Sequence, residues 1–174
     1  MSTQPDSPIT QFIERLKGLD PGDRARLKRN AGNSLEEARQ ATGLFFRLLP
    51  PTVNRYHEPW YFLVATLYPL AEPGPTGNLG HALHLARLAR EKRKQGVAGL
   101  DRRFEVLLDA DDDQVSFRLR QIVRLLHSAE IPIDWPQLLQ DLIRWNHPQR
   151  FVQESWARSY YAVDAQTPST PSQS

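Results

Sequence analysis

Apolar residues at helical spacing dominate the last third of the chain and set its fold class. On a helical wheel of about 100° per residue, five apolar residues of segment 112–129 fall within one narrow arc: Val115, Leu119, Ile122, Val123 and Leu126. Segments 135–146 and 148–163 show the same period. No stretch of the chain alternates between apolar and polar residues as a half-buried strand does. The sequence therefore predicts an all-α fold.

Helix start and stop signals divide the chain into nine predicted helices. Asp20 is an N-cap residue in front of Pro21, which suits the first helical position. Ser34 and Glu37 have the spacing of a capping box, and the Pro/Gly-rich loop 72–77 is a helix breaker. The predicted helices cover approximately residues 9–18, 21–31, 34–49, 58–71, 78–95, 100–109, 112–129, 135–146 and 148–163.

The chain is long enough for one domain with a substantial core. We predict a single-domain helical bundle of about eight to nine helices over residues 9–163. Residues 1–8 and 164–174 are predicted to be disordered, because the tail offers no apolar residue to bury. The sequence begins without signal-peptide features, and no run approaches the roughly 20 apolar residues of a membrane span. A cytoplasmic protein without a membrane partner is expected.

Composition and spacing argue against catalysis and cofactors. The chain has no cysteine, which excludes disulfides, cysteine-ligated zinc and thiol chemistry. His81 and His84 form the close histidine pair, but the nearest acidic residue is Glu91, so no metal site is predicted. Arg120 and His127 fit a loose pattern of helical ribonucleases, although a plain core-packing helix separates them. We expect no enzymatic activity; the ribonuclease alternative predicts cleavage that His127→Ala abolishes.

Arginine supplies most of the positive charge. Of the 22 basic residues, 18 are arginine, against 20 acidic residues and a formal net charge of +2. The guanidinium group makes forked contacts with phosphate and stacks on bases, so this usage favours a nucleic-acid ligand. A GC-rich genome is the alternative explanation, because it also raises the arginine content.

The predicted helix 112–129 has a basic face opposite its apolar arc. Arg120, Arg124 and His127 lie on that face at helical spacing, with Phe117 beside them. Guanidinium groups placed this way would bind phosphates while a base stacks on the ring. An ordinary solvated helix face is the alternative interpretation.

Two further segments concentrate positive charge. Predicted helix 21–31 carries four basic residues near its end, for which compensation of the helix dipole is an alternative explanation: Arg24, Arg26, Lys28 and Arg29. The window 87–103 holds seven basic residues against two acidic ones. From the charge pattern alone we select Arg90, Arg93, Lys94 and Arg120 as nucleic-acid contacts, with a solvated helix end as the alternative.

Five short motifs follow one another along most of the chain, roughly residues 10–163. They are Leu79-Gly80-x-x-Leu83, Arg102-Arg103-Phe104-x-x-Leu107-Leu108, the Leu/Arg-rich segment 112–129, Asp134-Trp135-x-x-Leu138-x-x-Asp141-Leu142-x-x-Trp145 and Trp156-Ala157-Arg158-x-Tyr160-Tyr161. In order and spacing this series resembles the CasB family, the small subunit of the type I-E CRISPR Cascade complex.

The resemblance implies an all-helical protein without enzymatic activity or cofactor. Two copies would lie head to tail in the complex and contact its backbone and large subunits. Their basic surface would bind the guide RNA/target DNA heteroduplex and the displaced strand of the R-loop, where base pairing reads the sequence and protein supplies sequence-independent backbone contacts.

The resemblance also implies nucleic-acid contacts at particular positions. The matching basic residues are Lys28, Arg29, Arg55, Arg102, Arg103, Arg124 and Arg150. The leading hypothesis is therefore a non-catalytic nucleic-acid-binding subunit. The alternative is a helical protein–protein adaptor whose arginines pair with acidic partners.

Overall fold

The structure, a computed structural model, describes residues 7–162 of the chain. These residues contain nine α-helices and two 3₁₀ turns, joined by loops. The helices are α1 (Pro8–Lys17), α2 (Pro21–Arg29), α3 (Thr42–Leu48), α4 (Glu58–Leu67), α5 (Leu79–Lys92), α6 (Ala98–Leu108), α7 (Asp112–Ser128), α8 (Trp135–Ile143) and α9 (Phe151–Tyr160). The 3₁₀ turns Arg55–His57 and Tyr68–Leu70 flank α4. No strand occurs within residues 7–162, and the predicted all-α fold is confirmed.

The predicted terminal disorder falls mainly on residues 1–6 and 164–174, which lie outside the described residues. Ser7 and Pro8, included in the predicted N-terminal segment, are the N-cap and the first residue of α1. The Ser7 hydroxyl accepts a hydrogen bond from the Thr10 backbone N–H at 3.2 Å. The predicted cap at Asp20 is confirmed, because its carboxylate accepts from the Asp23 N–H at 2.8 Å.

The predicted third helix starts too early. The capping box itself forms: the Glu37 N–H donates to the Ser34 hydroxyl at 3.3 Å, and the Ser34 N–H donates to the Glu37 carboxylate at 3.2 Å. The helix nevertheless begins at Thr42. A local cap therefore satisfies backbone donors here without starting a helix.

The buried side chain of Asn30 explains this difference. Its amide nitrogen donates to the Arg39 carbonyl at 3.0 Å, and its amide oxygen accepts from the Arg39 N–H at 3.0 Å. Both backbone groups of Arg39 are then engaged outside any helical ladder. Gln40 follows in the left-handed region, at φ 62°, which a helix cannot accommodate.

Two other predicted helices are interrupted by residues in the left-handed region. The predicted helix 78–95 ends as α5 at Lys92, before Lys94 at φ 56°. The predicted helix 148–163 begins as α9 at Phe151, after Arg150 at φ 51°. Non-glycine residues in the left-handed region interrupt helical geometry in both places, and neither position carries the Gly or Asn that usually signals it.

Helix α4 lies at the centre of the bundle. Every residue from Tyr61 to Leu67 is buried, and the helix packs against α2, α7 and α8. A helix that is apolar on all sides belongs in the interior. All five residues of the apolar arc predicted for 112–129 are likewise buried on α7. Trp135, Trp145 and Trp156 also belong to the core.

Helices α5 and α9 approach each other very closely. A Cβ atom added to Gly80 would lie 2.1 Å from the Trp156 carbonyl oxygen, so only glycine allows this contact. The Asn78 side chain, which caps α5, also donates to the Ser159 hydroxyl at 2.9 Å. The orientation of α5, and with it one wall of the site below, is therefore set by α9.

The loop that precedes α5 is tied to the segment that follows α7. The Gly74 N–H donates to the Ile133 carbonyl at 3.0 Å, and the Ile133 N–H donates to the Glu72 carbonyl at 2.8 Å. The Thr76 hydroxyl adds a bond to the Pro132 carbonyl at 3.1 Å. These bonds join the segment before α5 to the segment after α7, so the two ends of the α5–α7 unit are linked at what we call its base.

Candidate nucleic-acid interface

Helices α5, α6 and α7 enclose a groove of about 520 Å³. Four arginines line it, each from a helix or a helix end: Arg90 from α5, Arg93 at the α5 C-cap, Arg103 from α6 and Arg124 from α7. We call this site the arginine groove. All four were predicted from the sequence as nucleic-acid contacts, and the structure brings them together around one groove.

The rest of the lining is small, apolar or uncharged. The apolar residues are Ala86, Ala89, Leu125 and Ala129, and the polar ones are Gln95, Gln121 and Ser128. No aspartate, glutamate or histidine lines the groove as the described residues define it. A concave site with this lining offers both guanidinium donors and small apolar side chains.

The four groove arginines have no internal counter-charge. None of them lies within 4.0 Å of a carboxylate among residues 7–162. By contrast, Arg87 pairs with Glu91 at 3.0 Å, and Arg158 pairs with Glu154 at 2.7 Å. A cleft lined by charges of one sign focuses its field and attracts ligands of the opposite sign. The geometry therefore favours an anion in the groove.

Asp101 holds the walls of the groove together. Its carboxylate accepts from the Arg87 Nε–H of α5 at 3.1 Å and from the Tyr160 hydroxyl of α9. Burial, reinforced by the Asp101 carboxylate, raises the pKa of Tyr160, so its hydroxyl remains a donor. Asp101 lies on α6, and it thereby joins α5, α6 and α9 at one point.

A second concavity of about 190 Å³ adjoins the arginine groove, and we call it the side pocket. Its lining is Arg102, Arg103, Val106, Arg118, Gln121 and Ile122. Arg103 and Gln121 line both sites, so the two are adjacent. Phe117 is 56% exposed next to it, with the Arg118 guanidinium 5.5 Å from the ring centroid. An exposed ring beside a guanidinium is a stacking surface for a base.

Several predicted contact residues lie outside this lining. Lys28 and Arg29 are exposed on the last turn of α2, where they also suit the helix dipole. Arg55 is exposed in the first 3₁₀ turn, next to Tyr56, which is 87% exposed. Lys94 is exposed just beyond α5. Their role in nucleic-acid contact stays a prediction.

Arg120 and Arg150 make contacts within the protein. The Arg120 side chain packs on Gly32, where an added Cβ would lie 3.2 Å from its Cδ, and its buried Nε has no hydrogen-bond partner among the described residues. The Arg150 guanidinium donates to the carbonyl of Leu108 at the end of α6. A structural role thus competes with nucleic-acid contact at both positions.

The structure adds residues that the sequence prediction left out. Arg118, Gln95, Gln121 and Ser128 line the two concavities. The lining residues on α7 recur every three or four positions, so they share one face of the helix: Arg118, Gln121, Arg124 and Ser128. A search for that spacing, rather than for positive charge alone, would have found them. Gln95 lies beyond α5 and gives no such signal.

Other kinds of site find no support in the described part of the chain. No group of three or more His, Cys, Asp or Glu residues there has the arrangement of a metal site. No helix within residues 7–162 has the length and apolar character needed to cross a membrane.

Comparison with known proteins assigns the chain to a family. The family model described as CRISPR-associated protein Cse2 matches residues 23–161. The chain belongs to the Cse2 family. A curated Cse2 protein of Thermus thermophilus is 46% identical over 105 residues, which are 60% of this chain and 57% of the relative. The match thus spans little more than half the length of that curated relative.

Solved structures of Cse2-like proteins have the same fold. CasB of M. ruber is 32% identical with a TM-score of 0.73, over 90% of this chain and 94% of that one. CasB of Thermus thermophilus is 33% identical with a TM-score of 0.74, over 92% and 100%. A chain of a CRISPR RNA-guided surveillance complex is 25% identical with a TM-score of 0.71, over 87% and 90%. The expected resemblance to the CasB family is confirmed.

Proposed function

We propose that this protein is a non-catalytic small subunit of a type I-E CRISPR guide-RNA surveillance (Cascade) complex, and that it stabilises target DNA in the R-loop through the arginine groove. The observation that carries the proposal is the convergence of four arginines, without internal counter-charges, on one groove. A solvated helix face gives no reason for such a convergence, because like charges repel one another unless an anion lies between them.

The proposed partners follow from the relatives. A chain of similar fold belongs to a CRISPR RNA-guided surveillance complex. This match supports other subunits of such a complex as partners. The resemblance to the CasB family further implies backbone and large subunits, a second copy of this chain, guide RNA and target DNA, and we propose that these meet in the cytoplasm. The groove lining offers arginine, amide, hydroxyl and apolar groups, a set suited to binding phosphates and bases without chemistry on them.

A few arginine–phosphate contacts are enough for such a role. Formation of an R-loop exchanges a DNA duplex for a heteroduplex of about equal stability, so small protein contributions decide the equilibrium. Phosphate contacts carry no sequence information, which suits a complex whose specificity comes from base pairing.

The proposal predicts the salt dependence of target binding. A guide-loaded complex assembled with the Arg103→Ala/Arg124→Ala variant should bind target DNA more weakly than the wild-type complex. The negative slope of log K against log salt should become shallower by about 1.4 to 1.8, because each of the two lost phosphate contacts contributes roughly 0.9 on duplex and about 0.7 on single strands. Titrations at several salt concentrations measure both quantities.

The matched control is Lys17→Ala/Arg158→Ala. It removes the same charge from two exposed basic residues that form ion pairs outside the groove, and should leave the slope unchanged. Equal slopes for all three complexes would contradict the proposal. If the groove variant also failed to co-purify with the complex, the adaptor alternative would be supported instead.

A further inference from the structure

The arginine groove has the volume of a small-molecule site. Its roughly 520 Å³ lies within the usual range of about 300–1,000 Å³ for pockets that enclose organic ligands. A surface that only tracks a phosphate backbone needs positive charge but no cavity. We infer that the groove takes one unpaired nucleotide of the displaced DNA strand, with the base inside and the phosphates on the arginines; this inference rests on the proposed function.

The chemistry of the lining suits a nucleobase. Ala86, Ala89 and Leu125 form an apolar surface on which the flat face of a base can lie. The amides of Gln95 and Gln121 carry both donors and acceptors, which can meet the edge of any base. Because each amide can both donate and accept hydrogen bonds, the site should accept different bases with little preference.

The side pocket indicates the path of the strand. Arg103 and Gln121 belong to both concavities, so the next nucleotide of the strand can reach Arg102 and Arg118. The exposed ring of Phe117 lies beside Arg118 and offers a second stacking surface. Two adjoining sites along one helix face suit a single strand that crosses α6 and α7.

An unpaired strand has an energetic advantage at such a site. A base must leave its stack to enter the groove, and this rotation costs least when the base is already single-stranded. A base in a duplex would also lose its pairing. The groove therefore distinguishes the displaced strand from double-stranded DNA, which would contact only the arginines at the rim.

The test compares two oligonucleotides on the full-length protein. One is a single DNA strand of about ten nucleotides, and the other is an abasic strand of equal length, which keeps all the phosphates. Fluorescence anisotropy titrations give the affinity of each. We expect the wild-type protein to bind the ordinary strand roughly tenfold more tightly than the abasic strand, because only the ordinary strand brings a base whose apolar face is buried against the groove.

Pocket-filling variants locate the effect. Ala89→Leu and Ala129→Leu should fill part of the groove without altering its charge and without adding an aromatic ring, so binding of the ordinary strand should decrease toward the abasic level while abasic binding is unchanged. Ala129 is exposed, which makes its variant safe for folding. Ala162→Leu, at an exposed position outside the groove, is the control. Thermal melting verifies that each variant is folded.

The outcomes separate the two proposals. If the wild-type protein bound both strands equally, or if Phe117→Ala and not the groove variants removed the base preference, the inference would be overturned while phosphate binding remained. If neither strand bound at low salt, the nucleic-acid role in the proposed function would fail as well. Loss of base preference in both groove variants, with the control unchanged, supports the inference.

Discussion

The Asn30 side chain, 3% exposed, makes three hydrogen bonds to main-chain atoms. Its amide nitrogen donates to the carbonyls of Arg26 and Arg39, at 2.9 and 3.0 Å, and its oxygen accepts from the Arg39 N–H at 3.0 Å. One side chain thereby fixes the connection between α2 and α3. A buried amide so fully engaged is expensive to remove, because its backbone partners would be left without bonds.

The variant Asn30→Ala tests this role. Without the amide, the partly buried N–H and carbonyl of Arg39 lose their hydrogen-bond partners. The free energy of unfolding should therefore fall by about 3 kcal/mol. Urea denaturation followed by circular dichroism measures the change. Asn146→Ala, at an exposed position, should stay within about 0.5 kcal/mol of wild type. A similarly small effect for Asn30→Ala would show that the connection is held by other contacts.

Asn30 also marks a limit of sequence-based prediction at this scale. The Ser34–Glu37 pair forms the predicted bonds because the chemistry lies within four residues. The same chemistry does not decide whether a helix follows, since the side chain that captures Arg39 lies nine residues away. Local patterns predict caps, and longer-range polar contacts decide which caps begin helices.

At the scale of the helices, α5 and α9 pack backbone to backbone. At Gly80 the helices meet backbone to backbone, and a Cβ there would lie 2.1 Å from the Trp156 carbonyl oxygen and 2.7 Å from its carbon. These are main-chain atoms and cannot move aside as a flexible side chain can. A larger residue must therefore push the two helices apart.

The variant Gly80→Ala should lower the free energy of unfolding by about 3 kcal/mol, because overpacking by one methyl group here displaces a helix. Thermal and urea denaturation measure the loss. Gly43→Ala on α3 is the matched control: no atom lies within 4 Å of the added Cβ, so this variant should be neutral or slightly stabilised. Equal stability for the two variants would contradict the close approach.

Packing between helices explains what the sequence could and could not show about the site. The periodicity of 112–129 predicts the buried face of α7 and the exposed position of Arg124. Which other arginines share its groove depends on how α5 and α6 lie across α7. That arrangement comes from the Arg87–Asp101 pair and from Gly80, and neither has a periodic signature.

For the whole molecule, a formal net charge of +2 conceals an uneven distribution of charge. The acidic residues pair with some arginines, such as Arg87 and Arg158, while the groove arginines have no carboxylate within ion-pair distance among residues 7–162. Mutual repulsion between groove arginines is therefore part of the folded state. An anion that occupies the groove relieves this repulsion and stabilises the native protein.

Inorganic tripolyphosphate should therefore raise the melting temperature of the protein. At a hundredfold excess over its dissociation constant, a ligand that binds the native state alone adds about 2.7 kcal/mol, or about 5 °C or more for a chain of this size. Differential scanning fluorimetry measures the shift. Sodium chloride at equal ionic strength should produce little of it. If the Arg103→Ala/Arg124→Ala variant showed the same rise in melting temperature, the anion would bind outside the arginine groove.

The hydrogen bonds that close the base of α5–α7 have a consequence for the evolution of the site. They join main-chain atoms of Glu72, Gly74 and Ile133, and so they do not depend on which side chains occupy the helices between them. Gly74 is the exception, because a Cβ there would lie 2.7 Å from Pro132. Mutation can thus redistribute arginines among the helices of this unit over generations while its main-chain frame is kept, with Gly74, like Gly80, among the positions least free to change.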